Sequence, residues 1–354
     1  MSRELIDVIV IGDGVIGLST AFELGRAGVE CRVFGAVNHG AASGAAAGLL
    51  APSIGTLRPD VQTFFDASLA LYPSFVESLQ PFEAQLALLE GLVDLSSEGR
   101  RSGLAAATAA EHRLLSAADP ALLEPELAAS NAVFHPRDGA IDNVLLTHAL
   151  RAAVAAFPTC RVIADDPVVA VRVGSHLEVV TRTGAVVESR ALIVAAGAWS
   201  ARIDGLPRRL PVVPLKGQML SVASVALHHP VMGDDVYIVP RRGEIAIGAT
   251  AEHAGFDTTV FPDAIERLRQ SAAAICPALG DAPVVRTWAG IRPATPDMLP
   301  ILGPDPDHPR LIYACGHSKN GILLAPATAT CIAALATESA PPLDIDAFSV
   351  MRFQ

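Results

Sequence analysis

A glycine-rich turn near the N-terminus places the strongest constraint on how this chain can fold. Residues 6–11 are almost all β-branched, which is typical of a strand buried on both faces of a parallel sheet. Gly12, Gly14 and Gly17 follow with the spacing G-x-G-x-x-G and open a helical pattern over 15–27. A second apolar run comes next and predicts another strand. This order predicts a βαβ unit.

Each glycine of this turn has a separate mechanical role. Gly12 permits the tight turn, Gly14 lets a pyrophosphate approach the backbone, and Gly17 lets the helix pack on the strand. The unpaired N–H groups at the start of the helix then face the phosphates. A glycine-rich turn without a ligand is the alternative, but the βαβ context favours a dinucleotide site.

One usual element of such a site is missing. The second strand normally ends in an Asp or Glu that binds a ribose hydroxyl, whereas this chain has Gly35 followed by Ala36. The ribose would therefore be held by backbone groups, by water or by another side chain such as Asn38. The same absence weakens the case for a plain NAD-dependent enzyme.

Composition and charge exclude several classes of function. The 354 residues include 26 Lys and Arg against 37 Asp and Glu, and the net charge of −11 opposes nucleic-acid binding. No apolar stretch reaches the roughly 18 residues that a membrane-spanning helix requires. The cysteines are odd in number and have no C-x-x-C spacing; they are Cys31, Cys160, Cys276, Cys315 and Cys331. They indicate neither a disulfide framework nor a metal site, and a cytoplasmic location is expected.

Three later segments extend the pattern. Residues 41–52 are mostly small, which permits close approach of backbone to a flat ring. Residues 191–200 predict a buried strand that ends in a turn of small residues. Residues 311–321 predict a strand and a loop, followed by a helix from Ile322 to about Ala336.

The chain resembles the D-amino-acid oxidase superfamily of flavin-dependent amine oxidases, in particular its glycine oxidase branch of the thiamine-pathway type. The blocks that carry the resemblance are 12–17, 45–50, 214–221, 237–241, 248–250, 288–293 and 316–328. They follow the family order through nearly the whole chain, and the last block is the most specific. The resemblance implies an α/β fold with a Rossmann-like FAD-binding domain and a discontinuous, antiparallel-sheet substrate domain of α+β character.

The expected limits of the two domains follow from where these blocks fall. The FAD-binding domain is expected to comprise 1–84, 141–208 and 288–354, and the substrate domain 85–140 and 209–287. Strands are expected at 212–222, 236–240 and 244–250, with a helix at 262–274. Residues 64–90 are expected to be helical with breaks at Pro73 and Pro81, and 105–127 to be a mixed helical stretch.

The resemblance implies FAD as the cofactor. Related sarcosine oxidases bind flavin covalently through a cysteine near the position of Arg292, and since no cysteine lies there we expect noncovalent FAD. The residues expected around the cofactor are Gly12, Gly14, Val15, Ile16, Gly35, Ala36, Ala42, Ser43, Ala47, Gly48, Leu49, Val168, Gly197, His317, Ser318, Lys319, Asn320, Gly321, Ile322 and Leu323. Those at 12–16 would meet the pyrophosphate, Val168 the adenine, and those at 317–323 the pyrimidine edge of the flavin. Lys319 stands where the family commonly has Arg.

Two side chains are expected to hold a substrate carboxylate. By resemblance Arg292 offers a guanidinium fork that matches a carboxylate, and the alternative is a structural pairing with Asp297 or with a C-terminal carbonyl. Tyr237 would donate its hydroxyl to the same carboxylate, and the alternative is packing within a sheet. His317 is not expected to act as a base, because hydride removal from an amino acid depends on positioning.

The resemblance implies oxidation of glycine or of a small D- or N-substituted amino acid, with dioxygen as the acceptor. The products would be hydrogen peroxide and an imine, which hydrolyses to a 2-oxo acid and ammonia or an amine. An oxidase or dehydrogenase of larger secondary amines or hydrazine-type compounds stays open, as does a flavin-binding module without turnover. The C-terminal blocks argue against a nicotinamide-dependent dehydrogenase. A homo-oligomer, often a tetramer, is implied, with no nucleic-acid or membrane partner.

Overall fold

The computed structural model describes residues 5–54, 57–97, 113–115, 123–128, 132–174 and 176–353. The strands are β1 (Leu5–Ile11), β2 (Cys31–Phe34), β3 (Leu49–Leu50), β4 (Leu88–Asp94), β5 (Arg113–Leu115), β6 (Ala132–Ile141), β7 (Cys160–Ile163), β8 (Val168–Val173), β9 (Leu177–Thr181), β10 (Val186–Val194), β11 (Val213–Ala223), β12 (Val231–Met232), β13 (Tyr237–Arg241), β14 (Glu244–Gly248), β15 (Val284–Ala294), β16 (Ile301–Pro304) and β17 (Leu311–Cys315).

The α-helices are α1 (Val15–Arg26), α2 (Ala42–Ala45), α3 (Pro59–Leu79), α4 (Asn143–Ala156), α5 (Pro262–Ile275), α6 (Ala278–Asp281) and α7 (Ala325–Ala336). Short 3₁₀ helices cover Gly197–Arg202, Asp346–Phe348 and Val350–Phe353. No helix within the described residues is both long and apolar enough to cross a membrane.

The first sheet is built around the apolar run at the N-terminus. Its strand order is β16-β17-β10-β1-β2-β7, and β8 and β9 extend it through β10. Strand β1 pairs in parallel with β2 and β10, and β10 in turn pairs in parallel with β17. Ile9 and Val10 are fully buried, because helices or loops cover both faces. The predicted βαβ unit and the parallel pairing of its strands are confirmed, while β16 and β9 pair antiparallel with β17 and β10.

The second sheet is mainly antiparallel and has the order β15-β11-β14-β13-β12-β4-β6-β3, with β5 beside β6. Strand β11 pairs along most of its length with β15. Helix α5 covers one face, where Leu268 and Ala272 pack in a cluster with Leu220 and Ile247. The strands expected at 212–222, 236–240 and 244–250 and the helix at 262–274 are all present, with ends shifted by one or two residues.

The predicted break at Pro73 is wrong, because α3 continues from Pro59 through Pro73 to Leu79. A proline inside a helix costs about 3 kcal/mol, but this helix buries a long apolar face that includes Phe64 and Phe75. Each such side chain contributes roughly 2–3 kcal/mol when fully buried. The burial offsets the cost of the proline. The helix expected to reach residue 90 is wrong beyond Leu79, because β4 begins at Leu88. Most of the mixed helical stretch expected at 105–127 lies outside the described residues, and Arg113–Leu115 within it is a strand, β5.

The final helix begins later than expected. Helix α7 starts at Ala325 rather than Ile322, and Pro326 lies in its first turn, a position that suits proline. The residues before it form separate turns, in which Asn320 N–H donates to the His317 carbonyl.

The domain limits stay a prediction. Strand β15 (Val284–Ala294) runs across the limit expected between 287 and 288. Strand β3 falls within 1–84 and pairs with β6 of the second sheet.

Candidate active site

A cavity of about 920 Å³ lies where the two sheets meet. One wall comes from the carboxyl ends of β1, β2, β10 and β17, which is where ligands bind in parallel α/β sheets. The opposite wall comes from β11, β13, β14 and β15 of the second sheet. The volume lies within the range that drug-sized ligands and cofactors require.

The cavity brings together residues that are far apart in the sequence. The expected site residues that line it are Gly12, Gly14, Val15, Ile16, Gly35, Ala36, Ala42, Ser43, Ala47, Gly48, Leu49, Val168, Gly197, Tyr237, Arg292, His317, Ser318, Lys319, Asn320, Gly321 and Ile322. Leu323 does not line the cavity, because it is 2 % exposed and packs in the core. Its carbonyl accepts a hydrogen bond of 2.7 Å from Ser68 Oγ on α3.

The glycine turn has no room for a side chain at Gly12. Gly12 has a φ of +116°, and a Cβ there would lie 2.3 Å from the Ala195 carbonyl oxygen. Val15 N–H, at the start of α1, donates to Ser43 Oγ at 2.9 Å. The side chain of Ser43 therefore caps a helix that begins 28 residues earlier.

A buried polar network that the sequence did not reveal joins the two walls. Asn143 is fully buried, and its Nδ2 donates to the Ser43 carbonyl at 2.6 Å. Arg241 donates through Nη2 to Asn143 Oδ1 at 2.6 Å and also to the Ala46 carbonyl. Burial lowers the pKa of the Arg241 guanidinium from its ordinary value. Only the position of Arg241 in the block 237–241 gave any signal in the sequence.

The guanidinium of Arg292 reaches the cavity from β15. Its Nη1 donates to the Thr250 carbonyl at 2.9 Å. No carboxylate of the described residues lies within ion-pair distance of it, and Asp297 pairs instead with Arg352 at 2.8 Å. The structural pairing of Arg292 with Asp297 is therefore wrong.

The space for this guanidinium depends on Gly217 of β11. A Cβ at position 217 would lie 2.5 Å from Nη1 and 2.6 Å from Nη2 of Arg292. Any residue larger than glycine would displace the guanidinium.

Tyr237 lies beside Arg292, at the start of β13. Its hydroxyl donates to Met219 Sδ at 3.7 Å. Burial raises the pKa of the Tyr237 hydroxyl, and the charge of Arg292 partly opposes that rise. The hydroxyl thus stays protonated at physiological pH and is able to donate to an anion.

His317 occupies a different environment. The side chain is 2 % exposed, and its Nε2 lies 3.2 Å from Thr328 Oγ1. Burial lowers the pKa of the imidazole to about 3, so the ring is neutral at physiological pH. A base this weak is poorly matched to accepting a proton near pH 7. The described ranges contain no group of three or more His, Cys, Asp or Glu side chains that could hold a metal ion.

Comparison with known proteins identifies the family. Residues 7–335 match the family described as FAD dependent oxidoreductase. The chain belongs to this family. Glycine oxidase of Geobacillus kaustophilus is 32% identical over 98% of this chain and 97% of that protein. The crystal structure of glycine oxidase from Geobacillus kaustophilus superposes on this chain with a TM-score of 0.90. The match covers 98% of this chain and 98% of that one.

Two further relatives extend the comparison. The bifunctional protein ThiO/ThiG of Trichormus variabilis is 34% identical over 98% of this chain and 55% of the relative. The chain thus spans about half the length of the ThiO/ThiG protein. The crystal structure of iminodiacetate oxidase IdaA from Chelativorans sp. BNC1 is 27% identical, with a TM-score of 0.87 over 97% of this chain and 98% of that one. The family match identifies an FAD-dependent oxidoreductase.

The residues of the cavity fit FAD. Gly12, Gly14 and Val15 line the cavity where α1 begins, and the start of a helix after a glycine turn is where a diphosphate binds in such folds. Ala42, Ala46 and Ala47 give the adjoining wall a surface of small side chains that suits a flat ring. The turn would hold the diphosphate, and the small residues would line the ring.

Proposed function

We propose that this enzyme oxidises glycine or another small D- or N-substituted amino acid at its α-carbon. The products are an imine and, with dioxygen as acceptor, hydrogen peroxide. Water converts the imine to a 2-oxo acid and ammonia, or to an amine where the nitrogen is substituted. One amino acid, one dioxygen and one water thus give one 2-oxo acid, one ammonia and one peroxide.

The observation that carries this proposal is the environment of Arg292. A largely enclosed cation without a carboxylate partner is costly unless a ligand supplies the opposite charge. Arg292 faces the cavity and pairs with no carboxylate of the described residues. A substrate carboxylate would complete a bidentate, charge-assisted pair with its guanidinium. Tyr237, which stays protonated, would donate a further hydrogen bond.

Bound FAD supplies the acceptor for a hydride from the α-carbon. The protein's contribution is to hold the substrate by its carboxylate so that the α-carbon faces the ring. No side chain has to remove a proton from carbon, because the lone pair of the neutral amine forms the imine as the hydride leaves. His317 is consistent with this scheme, since its pKa of about 3 makes it a weak base.

A second candidate substrate class is glycines that carry a larger substituent on nitrogen. The similarity to iminodiacetate oxidase IdaA favours it. In this chain Ala47 and Ala249 pack in the same cluster as Met219 and Tyr237. Small side chains at these positions leave space next to the proposed carboxylate site for a substituent on nitrogen.

A peroxide-release screen tests the proposal. The substrates are glycine, sarcosine, D-alanine, D-proline, iminodiacetate and bulkier N-substituted glycines, each also tested for anaerobic bleaching of the bound flavin. We expect rapid peroxide release with at least one small amino acid. Bleaching without peroxide would replace the oxidase with a dehydrogenase, and a flavin that no amine bleaches would contradict the proposal.

Arg292→Ala and Arg292→Lys test the carboxylate site directly. Loss of the guanidinium should lower kcat/KM for amino acids by about a thousandfold or more, since truncating one partner of a buried charge pair costs several kcal/mol. Lysine should restore only part, because it lacks the planar fork. FAD content should not change. Normal kinetics in Arg292→Ala would show that the carboxylate binds elsewhere.

A further inference from the structure

The turn that opens α1 contains an acidic side chain at its variable position. Asp13 stands between Gly12 and Gly14, directly after β1. It lines the cavity, as does Gly35 at the end of the neighbouring strand β2. Gly35 occupies the position that carries the ribose-binding acid in most dinucleotide sites.

The carboxylate of Asp13 fills the space that a side chain at position 35 would enter. A Cβ built on Gly35 would lie 2.2 Å from Cγ of Asp13, and 2.4 and 2.5 Å from its two carboxylate oxygens. Real Cβ atoms do not approach other atoms so closely. The two positions therefore compete for one space, and an acid at either one requires the other to lack a side chain there.

We propose that Asp13 replaces the missing acid and holds the adenosine ribose of FAD. The inference rests on FAD as the cofactor and is independent of the proposed substrate. A carboxylate only accepts hydrogen bonds, and it has room for both hydroxyls of a ribose. The usual acid belongs to the end of β2. Asp13 belongs to the turn after β1, but its carboxylate reaches the same place beside Gly35.

Arg151 makes this arrangement compatible with a diphosphate nearby. Its Nη2 lies 2.7 Å from Asp13 Oδ2, and it reaches the turn from helix α4. A lone carboxylate in a phosphate-binding turn would repel the phosphates. The ion pair offsets the negative charge of Asp13 and holds its Oδ2 in place. Within the described residues no hydrogen bond uses Oδ1, which leaves this oxygen for a hydroxyl.

Cofactor titration of the apoprotein tests the assignment without any substrate. The protein is stripped of flavin, and the Kd of FAD, FMN and the 2′-deoxy- and 3′-deoxyadenosine analogues of FAD is measured by fluorescence. We expect Asp13→Ala to weaken FAD binding about 10- to 100-fold, as loss of a hydrogen bond to a charged group does. FMN lacks the adenosine ribose, so its Kd should change less than threefold.

The deoxy analogues supply a signature that a purely structural role would not produce. The wild-type protein should bind FAD more tightly than at least one analogue, and Asp13→Ala should lose that preference. Asn38→Ala tests the rival assignment, because Asn38 is the other side chain that could hold the ribose and it also lines the cavity. Its preference between FAD and the analogues should match that of the wild type.

Moving the acid back tests the competition for space. Gly35→Glu alone should weaken FAD binding, because the new side chain meets Asp13. The double variant Asp13→Gly with Gly35→Glu should recover both the affinity for FAD and the preference for FAD over the deoxy analogues. This double variant also tests the proposal if Asp13→Ala does not fold. Equal weakening of FAD and FMN in Asp13→Ala, or loss of the preference in Asn38→Ala, would overturn the proposal. So would a double variant that folds and binds FMN but ignores the ribose hydroxyls.

Discussion

A single methyl group at Gly217 should damage substrate binding while leaving the charge of Arg292 in place. The Cβ of Gly217→Ala would lie 2.5 to 2.7 Å from the terminal atoms of the guanidinium. Carbon–nitrogen contacts settle near 3.5 Å, so the guanidinium must retreat by about 1 Å. The backbone itself tolerates alanine, because Gly217 is not among the glycines with a positive φ.

The expected loss follows from that displacement. A misplacement of about 1 Å in a positioned group costs on the order of 100-fold in rate. The hydrogen bond of 2.9 Å from Arg292 Nη1 to the Thr250 carbonyl should also weaken. We therefore expect kcat/KM for the best amino acid of the screen to fall about 100-fold, which is less than in Arg292→Ala. FAD affinity should be nearly unchanged, and the strand should accept alanine, since alanine suits a strand at least as well as glycine.

Stopped-flow reduction of the flavin under anaerobic conditions separates substrate binding from hydride transfer. Glycine and its ethyl ester form the decisive pair, because the ester lacks the carboxylate that the guanidinium would bind. Gly217→Ala should shrink the preference for glycine over the ester. Gly174→Ala is the control, since its Cβ would meet no atom closer than 3.8 Å. A kcat/KM within threefold of the wild type would refute the role given to the displaced guanidinium.

Tyr237, Asp138 and Cys315 give three further predictions. Tyr237→Phe should lower kcat/KM for amino acids roughly tenfold, the value of one hydrogen bond to a charged group, and steady-state kinetics showing no change would remove Tyr237 from the carboxylate site. Burial raises the pKa of Asp138 to about 6, so its folded pKa exceeds the unfolded one and the wild type gains stability as the pH falls from above 6 towards 4. Asp138→Asn removes this pH dependence, which amounts to about 3 kcal/mol in full at about 1.4 kcal/mol per pKa unit, and denaturant unfolding at pH 7.5 and 5 should show the stability of the variant falling relative to the wild type as the pH is lowered. Burial raises the pKa of the Cys315 thiol, which lines the cavity, to about 12, so the sulfur stays protonated and does not bond to the flavin. Acid precipitation should therefore release all FAD into the supernatant, whereas a yellow pellet would mean a covalent bond.

Much of the fold follows from local patterns in the sequence. The buried run of β1 and the glycine turn after it need no distant contact to be recognised, because strand burial and turn geometry are encoded within a few residues. The strands of the second sheet are equally predictable from the sequence. The effect of a proline is less predictable: Pro73 lies within α3, where packing of an apolar face offsets the free-energy cost of proline in a helix.

The site is less predictable where it depends on residues that meet only in the folded chain. The role proposed for Asp13 cannot be predicted from the sequence, because it depends on the contact between its carboxylate and Gly35. The two residues follow neighbouring parallel strands, β1 and β2. Asn143 is a polar residue at the start of helix α4, and nothing in the sequence pattern marks it as part of the site. Asp142 caps this helix by accepting hydrogen bonds from the N–H groups of the first turn, and Asn143 is left to bond across the cavity wall.

That bond explains how the two walls of the cavity keep their spacing. From Val15 N–H the hydrogen bonds run through Ser43 and Asn143 to Arg241, which lies four residues beyond Tyr237 on the same strand. The strand that carries a proposed substrate contact is therefore tied by buried polar groups to the turn that would hold the cofactor diphosphate. A paired buried amide and guanidinium permit few alternative arrangements, because each would leave a buried polar group without a partner. Hydride transfer requires such a fixed separation, because its rate depends on the approach of substrate and acceptor within a fraction of an ångström.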